Sequence, residues 1–184
     1  MQSIRIEHFI HHTVGITQNH RNNVFEREDP DTLQRTVEAL IDAQLDFLPG
    51  ERFEYGTKNY NVLGMVIEAA SGLSYEAFMR THIFEPLGLY NTFADRDDAI
   101  ATNRLAQGYF TQFIFQTRAR DSQEARGSVP TGYIISDAYD MARWMQIQLG
   151  VTNDIPEIFN QIIPISHEED RTVAPEYIFE IPYY

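Results

Sequence analysis

Residues 53–64 read FEYGTKNYNVLG, and the pattern they open runs on to Ser71-Gly72. From Asn59 to Ser71, Tyr60, Val62, Leu63, Met65, Val66, Ile67, Ala69 and Ala70 make the segment apolar nearly all round. Such a helix is expected to be buried rather than to lie on a surface. Gly64 sits inside it at a cost of about 1 kcal/mol in helix propensity, which close backbone packing would justify. Gly72 suits the left-handed position after the last turn. Residues 51–58 read as a short extended piece entering a loop, which carries Tyr55-Gly56-Thr57-Lys58. Lys58 is the only lysine among the 14 Lys and Arg residues. A nearby cation favours the phenolate, against a reference tyrosine pKa of about 10. Tyr55 is therefore a candidate base; the plainer alternative is a tyrosine packed over a loop.

Working outward, a helix is expected over residues 3–12, starting at Ser3 with Ile6, Phe9 and Ile10 on one face. Thr13-Val14-Gly15 reads as a break, and residues 16–29 as a polar loop. Asp31 is a plausible N-cap for a helix to about Asp46, with Leu33, Val37, Leu40, Ile41 and Leu45 at helical spacing. Ser74 caps a helix to about Phe84, where Pro86 stops it. Residues 109–115 suit a strand and 116–126 an exposed loop. Ser136 caps a helix to Leu149 whose stripe is Ala138, Met141, Ala142, Met145 and Leu149. The tail after 151 carries four prolines and no clear pattern. The sum is a mainly helical chain.

Its 184 residues are 43% hydrophobic and carry a formal net charge of −13. That apolar fraction can support a core. The negative field argues against nucleic acid and anionic membrane surfaces as partners. No run of 18 apolar residues suggests a membrane span, and no basic-then-apolar leader is visible. The absence of cysteine removes disulfides and thiol chemistry from these residues.

Several site patterns can be weighed directly. His8 and His12 stand at i, i+4, a spacing metal ligands use, but HxxHH is not HExxH, and packed or exposed histidines are the commoner reading. No G-x-S-x-G elbow and no glycine-rich phosphate loop occurs. Asp95-Arg96-Asp97-Asp98 reads as a solvated turn rather than a carboxylate pair. Nothing implies a metal or cofactor.

Taken together, the segments resemble the serine β-lactamase-related family: class C β-lactamases, DD-peptidases and related esterases. Phe53 to Gly64 resembles the region around its Tyr-x-Asn motif. Ile67-Glu68, Ser71-Gly72, Tyr75 and Pro86-Leu87-Gly88-Leu89 follow in the family's order. Upstream, Ile10 to Ile16 resembles L-L-x-H-T-S-G-L. Downstream, Ala106-Gln-Gly108-Tyr109 and Pro130 to Arg143 resemble A-x-G-Y and P-A-G-G-L-x-S-T-A-x-D-L-A-R. The resemblance spans about residues 4–149.

The resemblance implies acyl transfer on an amide or ester. A serine in S-x-x-K attacks, the motif lysine and the Tyr-x-Asn tyrosine move protons, and backbone N–H groups hold the oxyanion. It assigns catalytic positions to Tyr55 and Thr57, the latter standing where the family has asparagine. None of Ser3, Ser71, Ser74, Ser122, Ser128, Ser136 and Ser166 is followed by lysine three residues on, and no K-T-G or H-T-G occurs. The expectation is the helical subdomain of the α+β β-lactamase/DD-peptidase fold, lacking most of its sheet. Residues 1–150 would form that helical region, and 151–184 a tail leading toward sheet strands. A helical region cut from its sheet would expose apolar surface and associate through it. The substrate would be a small-molecule or peptide-like acyl compound, and the family's habit suggests an extracytoplasmic location. The alternative reading is a non-catalytic, penicillin-binding-like module.

Overall fold

The computed structural model of the chain describes residues 3–16, 32–112, 115–118, 126–152 and 154–168. Seven helices lie among them: α1 (Ile6–Ile10), α2 (Thr32–Glu38), α3 (Lys58–Ser71), α4 (Tyr75–Leu87), α5 (Arg96–Ala101), α6 (Ala138–Gln148) and α7 (Glu157–Ser166). A two-stranded antiparallel hairpin, β1 (Tyr109–Gln112) and β2 (Phe115–Arg118), is the only sheet of the described residues. Its register pairs Tyr109 with Arg118 and Gln112 with Phe115. The single strand expected at 109–115 is thus a hairpin. The polar stretch expected as loop contributes β2, Phe115–Arg118.

α3 is the frame on which α1, α2 and a 3-10 segment (Arg126–Thr131) rest. Its range matches the expectation, and Gly72 closes it at φ 72. Its burial does not. The buried positions are Asn59, Asn61 and Gly64, while Tyr60 and Val66 are exposed. Asn59 is drawn inward because its amide ties the His12 segment to the helix, whereas Asn61 Oδ1 meets no hydrogen-bond partner among the described residues. Gly64 has the close neighbour its sequence demanded: a Cβ there would stand 2.9 Å from Pro130 Cβ.

α4 begins as read, with Ser74 Oγ accepting from Ala77 N at 3.2 Å. It does not stop at Phe84. A π-helical stretch, Met79–Phe84, absorbs an extra residue, and Glu85–Leu87 continue with Pro86 in a new first turn, where its missing N–H costs nothing. α3 and α4 meet at 74°. No single described helix is long and apolar enough to cross a membrane.

The main core gathers Tyr75, Phe84, Leu87, Leu89, Ala94, Val129 and Ile147, with Trp144, Phe159 and Ile163 packed against it. α7, in the stretch sequence left unassigned, supplies two of these. A smaller cluster of Val14, Ile16 and Leu40 holds Phe9 and Val62.

Three further expectations are corrected. α1 buries His8, not the Ile6/Ile10 face, and starts at Ile6 because His8 Nδ1 accepts from Arg5 N at 3.1 Å. α2 ends at Glu38, after which Leu40, Ile41 and Ala43 continue in tighter turns. α6 is capped by Asp137, whose carboxylate accepts from Tyr139 N and Asp140 N, and not by Ser136. Ser136 Oγ instead meets Thr92 Oγ1 at 2.9 Å. The stripe read on α6 faces outward: Met145 is 59% and Leu149 73% exposed. The helix instead buries Asp140 and Ile147. The loop read at 16–29, the Asp31 cap and the end of the tail lie largely outside the described residues.

Candidate functional site

Tyr55 lies in the segment that enters α3. Three hydrogen bonds hold the chain before it against residues 12–15. Gly15 O accepts from Asp46 N at 2.9 Å, Thr13 O from Gly50 N at 2.8 Å, and His12 O from Glu54 N at 2.9 Å. Gly15 makes the crossing feasible, with φ +89 and the Phe47 carbonyl lying where a Cβ would go. Two segments far apart in sequence thus run side by side up to the tyrosine.

His12 anchors the end of that crossing. It sits at φ 54, past the end of α1, so it does not share a helix face with His8. Its Nδ1 faces Asn59 Nδ2 at 3.1 Å and receives the Gly56 N–H at 3.4 Å. Its ring lies 4.7 Å from the Tyr55 ring, 5.3 Å from Tyr60 and 5.8 Å, edge-on, from Phe53. Burial is the main influence holding the His12 imidazole below its ordinary value of 6.5; a backbone contact with Gly56 works against it, and neighbouring His11 acts with it. Among the described residues no group of three or more histidines and carboxylates is placed to hold a metal ion.

The two candidate catalytic residues both reach solvent. Tyr55 is 50% exposed. Thr57 is exposed and occupies the N-cap position of α3 without using its hydroxyl to cap the helix. Lys58, the cation beside Tyr55 in sequence, has its Nζ out of solvent and hydrogen-bonded to no described residue. Burial lowers its amine from the ordinary value. Lys58 Nζ thus forms no hydrogen bond to the Tyr55 hydroxyl. A cavity lined by Ser74, Arg80, Phe84, Thr92 and Asp98 shares no residue with this loop.

Sequence reasoning placed Tyr55 and Thr57 but missed what supports them. His12 was weighed as half of a metal pair. Asn59 is 1% exposed, and an asparagine at the start of a helix read as apolar nearly all round was the available signal.

A β-lactamase family model matches residues 1–166, and the chain belongs to that family. Protein flp of Staphylococcus aureus (strain MW2) is 23% identical over 173 residues, covering 91% of this chain and 32% of its own length. The octameric penicillin-binding protein homologue from Pyrococcus abyssi superposes with a TM-score of 0.67 at 22% identity, covering 88% of this chain and 37% of that one. The β-lactamase/D-alanine carboxypeptidase from Pseudomonas syringae gives 0.64 at 19%, covering 87% and 42%. The chain thus spans about a third of the length of the first curated relative. The fold is the helical part of the β-lactamase fold, as the sequence led one to expect.

Proposed function

We propose that these residues belong to a serine hydrolase that transfers acyl groups from amides or esters, with Tyr55 as a proton-transfer group and Thr57 as the hydroxyl beside it. The observation that carries the reading is the loop itself. Tyr55 stands half in solvent, its ring against His12, on a turn fixed from both sides by backbone hydrogen bonds. A proton-transfer group needs such placement, accessible to substrate yet held by its supports.

In this reading the attacking serine and its lysine come from sequence other than these residues, none of whose serines begins S-x-x-K. As the serine oxygen forms its bond to the carbonyl carbon, its proton passes to the Tyr55 side. When the carbon–leaving-group bond breaks, the leaving group takes a proton back. Thr57 Oγ offers one donor where an amide would offer two, which would weaken the hold on substrate without removing the proton path. The outward stripe of Met141, Met145 and Leu149 is the surface through which this helical part would associate.

Intact-mass spectrometry after exposure to benzylpenicillin and, separately, a fluorophosphonate tests the reading. The 184-residue chain alone is expected to gain no adduct. A longer polypeptide carrying S-x-x-K ahead of it is expected to gain one, with Tyr55→Phe slowing acylation by about 10²–10⁴-fold. An adduct on a serine of the 184 residues alone, or wild-type rates in Tyr55→Phe, would overturn the assignment.

A further inference from the structure

The contacts of His12 favour one tautomer. The Gly56 N–H is a donor in any state, and it is aimed at Nδ1. At 3.4 Å that contact fits a lone pair on Nδ1, shared with the Asn59 amide nitrogen at 3.1 Å, and places the ring's proton on Nε2. One nitrogen thus collects a donor from the turn after Tyr55 and a donor from the first turn of α3. The face of the same ring supports Tyr55 at 4.7 Å.

We propose that His12 is a positioning residue for Tyr55, holding the Tyr55-Gly56 turn to α3 through its unprotonated Nδ1 and releasing it when that nitrogen takes a proton. Protonation turns Nδ1 into a donor facing the Gly56 N–H, so that hydrogen bond must break. Asn59 must rotate to present its oxygen. Both changes act on the backbone next to Tyr55.

The titratable groups on the elements against His12 are Glu7, His8 and His11 in α1 and at its end, Glu51, Arg52, Glu54 and Tyr55 on the entering segment, and Lys58, Tyr60 and Glu68 on α3. Glu54 is engaged by Arg52 at 3.4 Å. Burial opposes protonation most, the Gly56 backbone contact favours it and His11 opposes it, and the net lies below the ordinary value. The release therefore falls on the acid side of the ordinary imidazole range. The consequence for catalysis rests on the role proposed for Tyr55; the switch itself does not.

The test is a nitrogen-15 and proton NMR titration of the 184-residue chain from about pH 8 to about pH 5, a range that spans imidazole protonation. The Nε2–H tautomer is expected at the upper end. The Gly56 amide and the Tyr55 ring signals should then move with the midpoint of His12, below 6.5. In His12→Asn they should stay still. Asparagine accepts the positive φ, and its Oδ1 can replace Nδ1 as an acceptor that does not titrate. An Nδ1–H tautomer, or Gly56 and Tyr55 signals indifferent to His12, overturns the proposal. The wild-type titration decides by itself, so a His12→Asn chain that fails to fold does not protect it. No step of the readout depends on catalysis, and failure of the acyl-transfer reading would be seen separately in the mass assay. In a longer, active polypeptide His12→Asn should remove the acid limb of kcat while leaving KM unchanged; an acid limb that persists would overturn the link to Tyr55.

Discussion

Gly64 of α3 and Pro130 of the 3-10 segment approach so closely that a Cβ on the glycine would stand 2.9 Å from the proline's own Cβ. The obstructing atoms belong to a ring tied to the backbone, so they cannot swing aside as the end of a long side chain would. Leu33 Cδ2 closes the third side at 3.5 Å.

Gly64→Ala sets two terms against each other. Alanine recovers about 1 kcal/mol of helix propensity. Overpacking a filled interface costs about 1–3 kcal/mol, and the rigid neighbour puts this site toward the upper end. A net loss of stability is expected, read as a lowered urea midpoint with an unchanged slope. A higher midpoint would mean that α3 can move off the 3-10 segment without penalty.

Asp140 is the buried carboxylate of α6, and its Oδ2 accepts from Asn91 N at 2.7 Å and Thr92 Oγ1 at 2.8 Å. It fastens the loop after α4 to a helix almost fifty residues later. Asp140→Ala strands two donors, at about 1–3 kcal/mol for each group left unsatisfied. Thr92→Val removes one donor and leaves the other bond in place, so it should cost less. A double-mutant cycle on the pair checks this: purely additive losses would show that the contact carries no coupling.

Capping of α6 separates two adjacent residues. Asp137→Ala should cost about 0.5–2 kcal/mol, because the carboxylate satisfies Tyr139 N and Asp140 N. Ser136→Ala removes a hydroxyl–hydroxyl contact with Thr92 and a long bond, 3.5 Å, to Asp137 O, and should cost less. The reverse order in thermal unfolding would restore the serine cap that the sequence alone favoured.

These cases mark how far the residue pattern carries. α3, its Gly72 stop and the Ser74 cap were legible because each depends on a local rule: apolar density, positive φ and a short side-chain acceptor. The Tyr55–Thr57 loop was singled out by resemblance. The inward faces were not. Periodicity identifies an apolar stripe but not what covers it, and the Met141–Met145–Leu149 stripe lies open while Asp140 is buried. Nor does sequence reveal that His12 reaches Asn59, forty-seven residues on. Such pairings depend on how the chain crosses itself at Gly15.

The open stripe invites its own measurement. Met141→Lys and Met145→Lys together should leave stability within about 0.5 kcal/mol, as substitutions on exposed positions generally do. They should also reduce self-association in sedimentation velocity and lower binding of an apolar dye. Unchanged association would show that the stripe is not the contacting surface, leaving the exposed isoleucines of α7, Ile158, Ile162 and Ile165, as the alternative.

Lys58 gives a pH-dependent prediction of opposite character to the surface ones. Burial lowers its amine in the folded chain below the ordinary value of 10.5. Between the folded and the ordinary value the unfolded chain holds more protons, so stability rises with pH across that window. Below the folded value the penalty of a desolvated cation without a hydrogen-bond partner among the described residues is felt in full. Lys58→Met removes the charge and keeps the length of the stem. It should therefore raise the urea midpoint at neutral pH, and that gain should shrink as pH climbs toward 10.5. A gain that stays constant with pH would assign it to methionine packing alone. A loss at neutral pH would mean that the ammonium has a partner in the folded chain, and that its hidden position is a bond rather than a cost.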